Sequence, residues 1–373
     1  MNSIVLSAIE EAAFVVCLDD ESPSTAGERH TQFLHNGVGR PFSNRWLDKP
    51  VQFVVTANGL SAGIHEHTKF DGLDVGPLHR HIVKTLMSSY QQHDGEVSRL
   101  PPDGEAVQTA PYPIRELVWT PGTATEKRIR HLQTAFASPT FPYRALGYEH
   151  VKCVGLSRAS LRGRGASPNS IAHLTAVLAV FLVDGFVRPA WEVVSLGHFA
   201  WGRIDWVQTV SPAMREFVEA AACINIDEDD EPSQSRFRLL LHAAARSYSR
   251  TVSTAMQGSG YVGHLYSLRA LAEESKTGDL PALFQTKAWD ATRRGGAGQD
   301  LKIGFMPSGE EDGNGNALYR EGGFLMSGDR GVYIHCNVSE EKADFYVSAR
   351  TQYAADVYLA LQKASSMVSR LLR

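Results

Sequence analysis

Cysteine is scarce in this chain. Only Cys17, Cys153, Cys223 and Cys336 occur among 373 residues, and no two stand close enough to form a paired metal motif. Widely spaced thiols of this kind fit a reducing compartment rather than a disulfide framework. No charge sign dominates: the formal net charge is −4, which excludes a broad nucleic-acid surface and leaves only local anion sites. No apolar run reaches the length of a membrane span. The N-terminus is wrong for a secretory signal, because Glu10, Glu11, Asp19 and Asp20 surround its short apolar stretch. No internal repeat is present. The expectation is a cytoplasmic protein with no metal site, no membrane span and no nucleic-acid partner. At this length the chain has room for two domains and a substantial core.

What is present centres on residues 44–72. Asn44-Arg45-Trp46-Leu47-Asp48-Lys49-Pro50 precedes Val51 to Val55, a run that is β-branched or aromatic apart from Gln52. Asn58-Gly59 is favoured in tight hairpin turns, where both central positions need positive φ. A strand therefore rises to Val55, turns, and returns to end near His67. Asp71 follows four residues later, and Gly72 then frees the backbone. A neutral imidazole whose other nitrogen is held by a carboxylate is the arrangement of a general base near neutral pH. His65 and His67, like His79 and His81, form His-x-His pairs. Helical residues two apart point away from each other, and no acidic or Cys ligands cluster beside either pair, which argues against metal.

Local signals give the other elements. Ile4 to Ala12 reads as a helix entering a strand at 14–20, and 21–43, rich in Ser, Pro, Gly and His, reads as a loop. Leu78, Ile82, Leu86 and Met87 recur at helical spacing between Val75 and Tyr90. Pro, Gly and acidic residues gather in 93–125, which divides the chain into a domain of 1–92, a linker of 93–125 and a domain of 126–373. Helices are expected at 126–137 and 237–256, a strand at 150–155, and solvated loops at the acidic 227–231 and Gly-rich 309–323. Arg158, Arg162 and Arg164 lead into Ser167-Pro168-Asn169. Ser167 suits an N-cap and Pro168 the first helical turn. The helix that follows, to about Val183, is apolar nearly all round and so should be buried. A basic loop ahead of a helix N-terminus is either an anion site or a solvated loop.

Asn-Arg-Trp-x-Asp-Lys, a strand pair and Glu66-His67-x-x-x-Asp71-Gly72 resemble, in that order, the choline/carnitine acyltransferase family. The resemblance implies an α/β protein with the CoA-dependent acyltransferase (chloramphenicol acetyltransferase-like) fold. It also implies a two-domain architecture whose first domain is incomplete, since most of the family's N-terminal half has no counterpart. His67 would be the catalytic base and Asp71 would orient it. Arg158 and Arg162 stand where the family has two lysines, and Ser167-Pro168-Asn169 where it has Ser-Pro-Asp. Arg158, Arg162, Arg164, Ser167, Asn169 and Ser195 are thereby implied to bind coenzyme A or acyl-CoA, a co-substrate rather than a permanently bound cofactor.

Farther on, Glu192, Ser195, Gly202 and Arg203 match the family, whereas Trp191 and Ile204 replace a Tyr and a Thr that help bind carnitine's carboxylate. Gln257 falls near the family's main carboxylate anchor, an Arg. The family's Ser-Thr-Ser is absent from 303–308, leaving Ser308 as a substitute. Trp191, Ile204, Gln257 and Ser308 are therefore the implied acceptor-binding residues, and an acceptor other than free carnitine is expected. Gly331 to Ala349 resembles the family's terminal strand pair, ahead of a final helix to Leu372. Tyr148-Glu149-His150 resembles the catalytic tripeptide but lacks the hairpin and carboxylate-Gly, so it is read as coincidence. The implied partners are acyl-CoA and an alcohol, with either the family's missing half or a larger synthase. The alternatives are a polyketide-releasing acyltransferase domain and a degenerate acyl-CoA-binding relative without turnover.

Overall fold

A computed structural model describes residues 2–37, 42–68, 71–92, 115–138, 146–223, 231–275, 279–292, 301–305, 322 and 331–372. The chain divides into two compact units: residues 1–23 and 31–141 form the body of one, and residues 24–30, 142–309 and 319–373 form the other. Most of the expected linker, 93–114, lies outside the described residues, as do 224–230, 306–321 and Ser308.

The elements run in order α1 (Asn2–Glu11), β1 (Val15–Asp19), α2 (Ala26–His35), β2 (Val51–Thr56), β3 (Ser61–His65), α3 (Gly72–Gln92) and α4 (Thr123–Ala137). Strands β1, β2 and β3 form a three-stranded sheet, with β1 parallel to β2 and β2 antiparallel to β3. The hairpin was expected to need positive φ at both Asn58 and Gly59, but only Gly59 has it, at 79°. Gly59 N donates to Thr56 O at 2.9 Å, and Thr56 N to Leu60 O at 2.9 Å. This is a type I turn closed by a left-handed glycine. Asn58 is used otherwise, its amide donating to Pro23 O at 3.0 Å.

The expected loop at 21–43 contains α2. Thr25 Oγ1 accepts from Glu28 N at 3.2 Å while the Glu28 carboxylate accepts from Thr25 N at 3.0 Å. That reciprocal capping box starts the helix. The bonds from Thr25 and Ser24 hold the Glu28 carboxyl down to about 2.

The Asn-Arg-Trp-x-Asp-Lys segment is a clasp. Arg45 donates through Nη1 and Nη2 to the two Asp19 oxygens at 3.1 and 2.6 Å, and both side chains are fully buried. Asn44 adds a bond to the same carboxylate at 2.9 Å. Burial alone would raise the Asp19 carboxyl, but the bonds from Arg45, Gln32 and Asn44 outweigh it and hold it below its ordinary range. Trp46 exchanges backbone bonds with the Gln52 amide at 2.8 and 2.6 Å, which explains the one polar residue in β2. Lys49 Nζ donates to the carbonyls of Glu10 and Ala12, both at 2.8 Å, at the C-terminal end of α1.

The second unit continues with β4 (Leu146–Cys153), α5 (Arg158–Leu161), α6 (Pro168–Asp184), β5 (Ala190–Ser195), β6 (Ile204–Gln208), α7 (Pro212–Ala222) and α8 (Glu231–Thr254). After them come α9 (Val262–Glu274), α10 (Lys287–Thr292), β7 (Leu301–Phe305), β8 (Val332–Val338), β9 (Ala343–Arg350) and α11 (Thr351–Leu371). Strand β4 starts at Leu146, four residues before the strand expected at His150, and α8 starts at Glu231 rather than Phe237. The strands form one sheet in the order β4-β9-β8-β7-β5-β6, with β5, β7 and β8 parallel. One face, bearing Val151, Phe345, Val347, Ile334, Ile303 and Ala190, joins α6 and α11 in the core.

Helix α6 forms as its sequence dictates. Ser167 Oγ accepts from Ser170 N at 3.1 Å, Pro168 occupies the first turn, and Gly185 ends the helix at φ 74°. Ile171, Leu174 and Leu178 are fully buried. Among the described residues no helix is long and apolar enough to cross a membrane.

Candidate active site

In the first unit, β3 ends two residues before His67 and α3 begins one residue after Asp71. Asp71 is the N-cap: its carbonyl accepts from Asp74 N at 2.9 Å, and its own N–H donates to the Asp74 carboxylate at 2.9 Å. The helix therefore begins three residues earlier than the periodicity from Val75 indicated. Gly72 has no positive φ; it is the first helical residue rather than a hinge. His67 Nδ1 lies 3.3 Å from Asp71 Oδ1, with the imidazole 44% exposed and the carboxylate 2% exposed. A buried carboxylate thus stands beside one edge of a ring that reaches solvent. The expected His-x-His pairs do not act within themselves: His65 Nε2 meets His79 Nε2 at 3.0 Å, one from each pair. Among the described residues no group of three or more His, Cys, Asp or Glu is arranged to hold a metal ion.

In the second unit, the basic loop lies against the turn between β8 and β9. Arg158 Nε donates to Val338 O at 2.7 Å, and Arg162 Nη2 meets Glu340 Oε2 at 2.9 Å. Both members of the Arg162–Glu340 pair are largely exposed, 73% and 62%, so the pair adds little stability. Arg164 is exposed, Asn169 half-buried, and Ser167 caps α6.

Of the expected acceptor residues, Trp191 and Ile204 share a face of the second unit's sheet. Ser195 and Ile204 are direct partners across β5 and β6, and Trp191 lies four pairs along, beside Gln208 and Lys302. Ser195 Oγ accepts from Gly197 N at 3.2 Å. Trp191 is 3% exposed, and its Nε1 has no hydrogen-bond partner among the described residues. Glu192 points the other way and accepts from Tyr248 Oη at 2.7 Å inside the core. Gln257 is exposed in a wide turn, Ala255–Ser259, that follows α8.

Two features escaped the sequence. His150, read as coincidence, holds a carboxylate: Nε2 lies 2.9 Å from Asp344 Oδ1, and the ring stacks on Tyr346 with centroids 4.5 Å apart. Burial would raise the Asp344 carboxyl, but bonds from His150 and Lys342 lower it below its usual range. The second lies at the absent Ser-Thr-Ser. A side chain on Gly304 would begin 2.2 Å from the Tyr333 hydroxyl, which pairs with His335 Nδ1 at 2.8 Å. Burial pushes His335 down to about 4, so it is neutral at pH 7. A phenol from β8 therefore fills the space over β7 that Gly304 leaves open.

Residues 1–360 match the family profile for Choline/Carnitine o-acyltransferase. The chain is 46% identical over 383 residues to Highly reducing polyketide synthase 17 of Metarhizium anisopliae, covering 100% of this chain and 12% of that protein. To Highly reducing polyketide synthase AFT9-1 of Alternaria alternata it is 32% identical, covering 97% of this chain and 12% of that protein. To the choline O-acetyltransferase of Sus scrofa it is 27% identical, covering 79% of this chain and 44% of that enzyme. Among solved structures it is similar to TRI3 trichothecene 15-O-acetyltransferase from Fusarium sporotrichioides, at 13% identity and a TM-score of 0.47, covering 97% of this chain and 77% of that one.

Proposed function

This chain belongs to the choline/carnitine O-acyltransferase family, and on that premise we propose that it moves an acyl group from a coenzyme A thioester to a hydroxyl acceptor with His67 as general base. Its mixed α/β architecture is that of the CoA-dependent acyltransferases. The observation that carries the reading is the buried Asp71 carboxylate 3.3 Å from Nδ1 of a solvent-reaching His67. Asp71 holds the proton on Nδ1, which leaves the Nε2 lone pair to take the proton from the acceptor hydroxyl. The alkoxide oxygen then attacks the thioester carbonyl, the C–S bond breaks, and the proton passes to the departing thiolate. No acyl-enzyme forms.

Arg158, Arg162, Arg164, the capped start of α6 at Ser167, Asn169 and Ser195 are the proposed coenzyme A contacts. Arginine forks and a helix N-terminus both suit phosphate. The exposed Glu340 is a weak competitor that phosphate can replace. Replacing Arg158 and Arg162 together by Ala is expected to weaken coenzyme A binding and to flatten its salt dependence. Calorimetry at low and moderate salt measures both; unchanged affinity assigns the loop to solvent instead.

Trp191, Ile204 and Gln257, with Ser308 beyond the described residues, are the proposed acceptor contacts. The buried Trp191 N–H suits a neutral oxygen, whereas a carboxylate left without a cation would cost several kcal/mol. The acceptor reading is therefore a neutral alcohol rather than carnitine. Since the synthase relatives match the whole chain but extend far beyond it, the second reading is acyl release from a larger synthase onto such an alcohol. Acetyl- and longer acyl-CoA are offered with carnitine, choline and neutral polyols, and ester products are separated and identified by mass. Esters of a polyol in excess over the others are expected; carnitine as the best acceptor overturns this acceptor assignment.

A further inference from the structure

The loop that carries His67 and Asp71 has two stems, β3 before it and α3 after it, and their side chains join at its base. His65, the last residue of β3, meets His79 from the second turn of α3, Nε2 to Nε2, at 3.0 Å. Two imidazoles at that distance share one hydrogen bond, an N–H of one ring donating to the lone pair of the other. Burial, with His79 close by, pushes His65 down to about 4, so His65 is neutral at pH 7.

The surrounding sequence fits this contact. A side chain on Gly63 would begin 2.3 Å from His79 Cε1 and 2.6 Å from His65 Nε2, so the strand carries glycine where the rings meet. Phe53, the cross-strand partner of Gly63, packs against His79 with ring centroids 5.7 Å apart.

We propose that His65 and His79 are positioning residues, whose ring-to-ring hydrogen bond fixes the strand end carrying His67 against the helix capped by Asp71. The inference rests on the reading of His67 as the base. The loop between the stems, 66–71, is short, so a shift of either stem passes directly to the 3.3 Å contact between Nδ1 and the carboxylate. Misplacing a catalytic group by about 1 Å costs roughly a hundredfold in rate, and loosening one of several restraints should cost less.

The test compares His79→Phe, His79→Gln and the unaltered protein in acyl transfer. His79→Phe keeps a ring but loses both ring nitrogens and with them the hydrogen bond; roughly a tenfold fall in kcat with KM unchanged is expected. His79→Gln restores an amide that can donate to or accept from His65 Nε2 and is expected to recover most of that loss. Equal rates for His79→Phe and the unaltered protein, or equal losses in both variants, overturn the proposal. A second readout does not depend on turnover: the His67 Cε1–Hε1 resonance should be single and sharp in the unaltered and Gln proteins, and doubled or broadened in the Phe variant. An unchanged resonance in the Phe variant refutes the clamp even if no acyl transfer is found. Absent turnover combined with a disturbed resonance counts against the catalytic reading alone.

Discussion

His67→Ala is expected to lower acyl transfer by roughly two to four orders of magnitude, the usual effect of removing a general base. The loss should lie in kcat, because the 44%-exposed ring contributes little to binding. Asp71→Asn should lower the rate less, since the amide can hold the ring in place but cannot accept an N–H through its nitrogen side. His150→Ala is the control. Its bond to Asp344 is worth about 1 kcal/mol of stability, and Lys342 still satisfies that carboxylate at 2.8 Å, so turnover should persist. A rate assay by free thiol release separates the variants. If His150→Ala falls as far as His67→Ala, the base has been assigned to the wrong strand.

Arg45→Met is expected to remove about 3–5 kcal/mol from the stability of the first unit, because it leaves the Asp19 carboxylate buried without its cation. The arginine also supplies Nε to Phe33 O and Nη2 to Gln32 O, both at 2.7 Å, so two part-buried carbonyls lose a donor as well. Arg45→Lys should recover part of the loss, since an ammonium restores charge but not the two-pronged geometry. Denaturant unfolding followed by a probe within residues 1–68 reports the difference. A loss below about 1 kcal/mol, the range of an exposed pair, would mean that the clasp adds nothing to the sheet.

These two expectations show how the sequence conveys different parts of the molecule. Helix α6 was legible because its signals are local: Ser167, Pro168 and Gly185 mark its ends, and unbroken apolar residues mark its burial. Helix α2 was missed because Ser, Pro, Gly and His gave 21–43 a loop composition, although Thr25 and Glu28 stand at capping-box spacing. The hairpin was legible but not its turn type, since Asn58-Gly59 serves more than one turn. The Asn-Arg-Trp segment could be matched as a motif, but its physical purpose depends on Asp19, which lies 26 residues before Arg45.

Pairings across elements were the least legible. His150 finds Asp344 at a separation of 194 residues, and His65 takes its partner from the other His-x-His pair. Period and composition carry no such information. The absent Ser-Thr-Ser was visible as an absence, yet the Tyr333 hydroxyl over Gly304 becomes visible only when β7 and β8 are seen side by side.

In the proposed reaction the acyl group passes directly from a thioester to a hydroxyl with His67 as the base. The most direct measurement is release of free coenzyme A from acetyl-CoA, with and without a neutral polyol, by the unaltered protein and His67→Ala side by side. The expected result is release by the unaltered protein that depends on the polyol, and near-background release by His67→Ala. Polyol-dependent release at the same rate from both proteins would contradict the account.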